Sequence, residues 1–99
     1  MGHTKCGGVQ ACYDVVNGGS SPHLPPPDSV LWKWLGPLRA VASANKGKPV
    51  EWLTTENVQI QMRNVKAALL SLNISDVAVT GYVYDVETRT ISQVTPPTV

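Results

Sequence analysis

The sequence predicts a small α/β fold, and three observations carry that expectation. Leu31, Trp34, Leu35, Leu38 and Val41 recur at spacings of three, one, three and three, which is the apolar stripe of a helix. Val58, Met62, Val65, Leu69 and Leu72 step by four, three, four and three, a second and cleaner helical seam with polar residues opposite. Residues 77–84, Val-Ala-Val-Thr-Gly-Tyr-Val-Tyr, are β-branched and aromatic with apolar groups on both faces, as a buried central strand is.

The elements follow in order. Residues 2–8, Gly-His-Thr-Lys-Cys-Gly-Gly, read as a turn that opens onto a short helix over Val9–Val16, stopped by Asn17-Gly18-Gly19. Residues 17–27 form an exposed connector, proline-rich over 22–27, where Pro22, Pro25, Pro26 and Pro27 stiffen it. Asp28 or Ser29 can cap the next helix, and Gly36-Pro37 should kink or break it, because proline removes a backbone donor. After a loop over 45–49, the best helix is expected from Thr55 to Leu70, with Thr54 or Thr55 as N-cap and Glu56 in its first turn. Asn73 and Ser75-Asp76 end it. The strand over 77–84 then turns through Asp85–Arg89 into a return strand, Thr90–Val94, and residues 95–99 are expected to fray. The connector is too short to separate two independent folds, so residues 1–99 read as a single domain. One feature of that domain is incomplete: a strand with two buried faces needs more neighbours than one hairpin arm.

Composition excludes several classes of function. Eight Lys and Arg against seven Asp and Glu leave a net charge of +1, which argues against a basic nucleic-acid binder. The longest apolar run, Ala67–Leu70, is far too short to span a membrane. The first residues, Met-Gly-His-Thr-Lys-Cys, lack the apolar core of a secretory signal, so the expected location is cytoplasmic. Cys6 and Cys12 are too few for a disulfide framework and too far apart along a helix to bridge. Free thiols suit a reducing compartment, and each has a plain reading as a small buried hydrophobe.

One constellation carries chemistry. His3 and Cys6 offer imidazole nitrogen and thiolate, the two ligand types zinc prefers, and three-residue spacing in a turn lets both reach one tetrahedral ion. A helix opening directly behind the cysteine favours the thiolate, and Gly7-Gly8 permit close backbone approach. Alone, H-x-x-C is a weak signal; its setting makes it specific.

Gly2-His3-Thr4-Lys5-Cys6-Gly7-Gly8 resembles the second zinc-ligand motif of the β-class carbonic anhydrases, G-H-x-x-C-G-G, where a strand ends and a helix begins. Glu56-Asn57-Val58, with Gln61 and Asn64-Val65, resembles that family's E-N-V-x-x-Q-x-x-N helix. Gly81-Tyr82-Val83-Tyr84-Asp85 resembles its G-[WY]-x-Y-D strand, and Trp34-Leu35 with Pro37-Leu38 sit where the family has a W-L-x-P-L-like helix. Order and spacing agree from residue 2 to about residue 94.

The resemblance implies a zinc-dependent carbonate dehydratase, a lyase interconverting carbon dioxide and bicarbonate, with His3 and Cys6 as two zinc ligands. It also implies helices packed on a mostly parallel sheet. The family's third protein ligand is a cysteine in an upstream C-x-D-S-R motif, whose aspartate and arginine orient the reactive water, and no such motif occurs in these 99 residues. The expectation is therefore the C-terminal half of a β-carbonic-anhydrase-type fold whose N-terminal strands are missing, with no catalytic residue of its own and no activity alone. Its partners would be carbon dioxide or bicarbonate, and either a further copy or the missing N-terminal half. Arg89 stands near where the family's hairpin has glycine, an unfavourable substitution if φ > 0 is required there. Relatives acting on carbonyl sulfide or carbon disulfide share the ligand motif, so the substrate stays open between these.

Within the chain, His23 in the connector, Cys12, Asp14 and Glu51 are the other potential ligands, and none has a spacing that selects it. A second reading is a non-catalytic carbonic-anhydrase-like interaction module that dimerises through its exposed sheet edge. A redox role finds no support, because Cys6 and Cys12 lack the C-x-x-C spacing.

Overall fold

The computed structural model describes residues 1–18 and 24–96. In chain order the elements are β1 (Gly2–His3), α1 (Gly7–Asn17), α2 (Val30–Trp34), α3 (Gly36–Ala44), α4 (Val50–Ser71), β2 (Gly81–Asp85) and β3 (Thr90–Val94). Contacts gather them into two compact units, Lys5–Leu53 and Met1–Thr4 with Thr54 onward; α4 runs through the division at its fourth residue.

In the unit Lys5–Leu53, α1 buries Val9, Ala11 and Cys12 and ends at Gly18, whose left-handed φ of 77° lets its N–H close onto the Asp14 carbonyl. The helix opens two residues earlier than the apolar pattern suggests, at Gly7. Of the two candidate caps for α2, Ser29 serves, its hydroxyl accepting from the Trp32 N–H at 3.2 Å. The break between α2 and α3 falls at Leu35, and Pro37 lies in the first turn of α3, where its missing donor has no helical partner to lose.

That break corrects the expected stripe. The spacing assumes one continuous helix, and an interruption resets its phase. Leu35, Leu38 and Ala42 are buried, whereas Leu31 and Trp34 stand 50% and 71% exposed and Trp32 packs inward instead. Arg39 ties the two pieces, donating from Nη2 to the Trp32 carbonyl at 2.8 Å with its guanidinium 4.1 Å from that indole's centroid. Val9, Cys12, Leu35, Leu38, Ala42 and Leu53 form the core of this unit.

The expected start of α4 at Thr55 is also corrected. The helix begins at Val50, just past Pro49, and the proposed caps Thr54 and Thr55 lie inside it. Leu53 at 2% exposure, with Val50 and Trp52 packed against the same core, explains the extra turn: buried apolar contact outweighs the β-branched pair's weaker helix preference.

The other unit holds a three-stranded sheet in the order β1-β2-β3. β1 pairs with β2 in parallel, Gly2 against Val83 and His3 against Tyr84, while β2 and β3 are antiparallel from Gly81–Val94 to Asp85–Thr90. Residues 2–3 are thus strand rather than turn, and the described sheet is mixed, not mostly parallel. The expected strand over 77–84 forms only from Gly81. Val94 is the last residue of β3 and lies opposite Gly81, so the ladder offers 77–80 nothing to pair with, and Pro96 has no N–H to extend it.

α4 covers one face of this sheet. Val58 and Met62 meet Val94, with Val79 and Val83 alongside. The rest of the expected seam is corrected: Val65 and Leu72 are 49% and 68% exposed. The lengths explain it, since a helix of this size runs about 33 Å and a five-residue strand only about 17 Å. The contact is close where it exists, because a Cβ on Gly81 would lie 2.7 Å from Val58 Cγ1 and one on Gly2 would lie 2.7 Å from Val58 Cγ2. The hairpin turn is fastened by Asp85 Oδ1, which accepts from Glu87 N–H at 2.9 Å and Thr88 N–H at 3.2 Å, and Arg89 follows with φ of 59°. Thr95 and Pro96 are exposed and irregular, the Thr95 carbonyl accepting from Gln59 Nε2 at 3.0 Å. Residues 97–99 of the expected tail, and Pro22 and His23 of the connector, lie outside the described residues.

Candidate metal centre

His3 is the last residue of β1, and its position follows from strand pairing. Directly paired residues project to the same face, so the row Gly2–Val83–Ser92 faces α4 and the row His3–Tyr84–Ile91 faces away from it. The side chain is exposed. Its Nδ1 lies 2.8 Å from the Thr4 carbonyl, which can only accept a hydrogen bond and so favours the tautomer protonated at Nδ1. Nε2 is then the nitrogen with a free lone pair, the arrangement found when a backbone carbonyl orients a metal-ligating histidine.

Thr4 anchors the strand end with two bonds. Thr4 donates its N–H to the Tyr84 carbonyl at 2.9 Å, and its hydroxyl accepts the Val86 N–H at 3.0 Å. These two bonds hold the chain against β2 just past His3. Nothing in the sequence marks Thr4 for this role; it is found only once β1 and β2 are seen to be neighbours.

Cys6 is the N-cap residue of α1, with extended φ of −67° and ψ of 121°. Its thiol makes no capping hydrogen bond, and no acidic residue stands in the first turn of α1. The side chain is half-buried against the core of its own unit. Lys5, immediately before it, takes the left-handed conformation with φ of 60°.

The remaining candidates divide plainly. Cys12 is fully buried, its Sγ 4.0 Å from the Leu35 carbonyl, and burial pushes its thiol up to about 11, against a partly opposing Arg39 charge. A thiol so held stays protonated at neutral pH and is a small hydrophobe, as its plain reading had it. Asp14 accepts from Gln10 Nε2 at 2.8 Å on the same helix, and Glu51 is exposed in the first turn of α4. Among the described residues, no group of three or more His, Cys, Asp or Glu side chains is gathered to hold a metal ion. His3 belongs to the unit that holds the sheet and Cys6 to the unit Lys5–Leu53, and each is a side chain of a type that zinc accepts.

A shallow surface hollow is lined by Tyr13, Asn17, Asn45, Lys48 and Trp52. The Lys48 ammonium stands 5.5 Å from the Trp52 ring centroid at its rim. It holds no histidine, thiol or carboxylate, and sequence reasoning did not single out these residues because their meeting depends on the loop between α3 and α4.

No helix among the described residues is long and apolar enough to cross a membrane. Compared with models of known protein families and with curated proteins, the chain matches none.

Proposed function

We propose that this chain is the C-terminal, zinc-binding portion of a cytoplasmic β-class carbonic anhydrase, with His3 and Cys6 as two of the zinc ligands. One observation carries the proposal. Motif segments some eighty residues apart in sequence lie on adjoining elements: Gly2-His3 pairs in parallel with Val83-Tyr84, and Val58 of the Glu56-Asn57-Val58 segment packs under Gly2 and Gly81. A resemblance of separate short motifs carries more weight when the chain brings them to one place.

Within this reading each residue has a task. Thr4 pins the end of β1, the Thr4 carbonyl orients the His3 ring through Nδ1, and His3 presents Nε2. Cys6 presents a thiol that no cap engages. Zinc, when bound, supplies Lewis acidity that lowers the pKa of water toward about 7 and so makes hydroxide available for attack on carbon dioxide. The third ligand and the carboxylate–guanidinium pair come from a C-x-D-S-R segment on another polypeptide portion, so this chain alone is inactive.

The test is complementation. The chain is expressed alone and together with a β-class N-terminal half bearing C-x-D-S-R, and zinc per chain and carbon dioxide hydration are measured. The expected result is little zinc and no hydration alone, with both recovered in the complex and lost again with His3→Ala or Cys6→Ser. Hydration by the lone chain at the level of whole enzymes would overturn the reading, as would a well-formed complex that takes up no zinc.

A second reading is an interaction module without catalysis, and the observation favouring it is β3. This strand lies at the sheet edge with Thr90, Ile91, Ser92 and Gln93 all exposed, and an open edge is a template for pairing with another strand. Light scattering discriminates, since a strict monomer at micromolar concentration removes this reading.

A further inference from the structure

Asn17 is the only one of five asparagines followed by glycine; Asn45, Asn57, Asn64 and Asn73 precede Lys46, Val58, Val65 and Ile74. The residue that follows decides whether an asparagine can cyclise. A glycine nitrogen approaches the neighbouring Cγ unhindered, and a β-branched residue blocks that approach.

Asn17 is exposed and ends α1, donating from Nδ2 to the Tyr13 carbonyl at 2.9 Å. Its Oδ1 accepts the Gly47 N–H at 3.2 Å, across thirty residues of chain. One carboxamide therefore latches the loop between α3 and α4 onto the end of α1. Gly18 caps the helix in the left-handed conformation, its N–H donating to the Asp14 carbonyl.

We infer that Asn17-Gly18 is a deamidation site held shut by the C-cap of α1, and that its conversion to isoaspartate unlatches the loop carrying Gly47. In the reaction the Gly18 amide nitrogen attacks Asn17 Cγ, and the new C–N bond closes a succinimide ring. The Cγ–Nδ2 bond breaks, and Nδ2 leaves as ammonia with the proton given up by the Gly18 amide. Water then opens either imide carbonyl, yielding aspartate or, by cleavage on the main-chain side, isoaspartate.

The folded state opposes the first step twice. Gly18 N–H is engaged with Asp14, and the helical backbone of Asn17 keeps that nitrogen away from Cγ. Reaction therefore waits on opening of the last turn, and helix ends are where such openings are least costly. The products differ from the starting amide in a way the latch registers. Neither has the Nδ2 donor for Tyr13, and both place negative charge at a helix C-terminus where the dipole is unfavourable; aspartate keeps an oxygen that can accept the Gly47 N–H, whereas isoaspartate lengthens the main chain at the cap itself and displaces that acceptor.

The experiment incubates the full chain at mildly alkaline pH, folded and in urea, followed by peptide mapping with mass spectrometry that separates aspartate from isoaspartate. Asn17 should convert ahead of the other four asparagines and several-fold more slowly folded than in urea. The Asn17→Gln variant should lose the conversion from that peptide, because a six-membered imide closes far more slowly. In the isoaspartate fraction the Gly47 amide should lose hydrogen-exchange protection. Conversion of Asn17 no faster than the others overturns the site, equal rates folded and in urea overturn the gate, and unchanged Gly47 protection overturns the latch.

Discussion

Gly81→Ala places a methyl group where the sheet and α4 are closest. The new Cβ would stand 2.5 Å from Met62 Sδ, 2.7 Å from Val58 Cγ1 and 3.2 Å from Met62 Cγ. Relaxed carbon contacts lie near 3.5–4.0 Å, so something must move by about 1 Å. Met62 is flexible and yields cheaply. Val58 does not, since a β-branched side chain in a helix has one strongly preferred rotamer and its other methyl already abuts Gly2. Overpacking of this kind costs about 2 kcal/mol, which for a chain of this size lowers Tm by about 8–16 °C. Urea unfolding measures it as a fall in midpoint at unchanged slope. The decisive arm is the double-mutant cycle with Val58→Ala, which removes both methyls and should leave Gly81→Ala nearly neutral in that background, a coupling of about 2 kcal/mol. If Gly81→Ala is within about 0.5 kcal/mol of the parent, or costs the same with and without Val58, close packing is not the reason for glycine there.

Three further outcomes follow from the same structure. Arg89→Gly relieves a non-glycine residue at φ of 59° and should stabilise the hairpin by about 1 kcal/mol; a lower urea midpoint for the variant would refute the strain. Ser29→Ala removes the hydroxyl that accepts the Trp32 N–H and should destabilise by about 1 kcal/mol, read as a loss of midpoint that Ser29→Asp largely avoids. Cys12 has a thiol raised by burial from 9.0 to about 11, so the folded state holds its proton more tightly than the unfolded state. Its stabilising contribution is complete below about pH 9 and is lost as pH climbs toward about 11, amounting to up to ~3 kcal/mol. Cys12→Ala should therefore flatten the alkaline limb of the stability curve relative to the parent, and parallel limbs would show that the thiol does not titrate with unfolding.

The candidate site was legible as far as two residues. His3 and Cys6 stand three apart, so their chemistry and spacing could be read directly, and so could the placement of Cys6 at a helix mouth. The carbonyl that orients His3 and the hydroxyl of Thr4 that pins its strand were not readable, because both depend on β2 arriving from residues 81–85. Arg89 is legible only in part: the resemblance sets glycine near that point of the hairpin without fixing the sign of φ, and the turn gives the arginine a φ of 59°. The helical stripe over 31–41 misled for a physical reason. Periodicity reports which residues would share a face if the helix were unbroken, and the break at Leu35 exchanged Trp34 for Trp32 in the core.

By itself the sequence determined what local chemistry decides. That includes the α/β class, the existence and order of helices and hairpin, the stop at Asn17-Gly18 and the break near Pro37. Tertiary structure alone decided where elements begin and end against one another. α4 starts at Val50 because Leu53 is buried, β2 starts at Gly81 because β3 runs out at Val94, and Val65 and Leu72 of the α4 seam are exposed because the strands beneath are short. Each of these depends on a partner distant along the chain, and the free energy of burying a side chain or pairing a strand is set by that partner rather than by the residue's immediate neighbours.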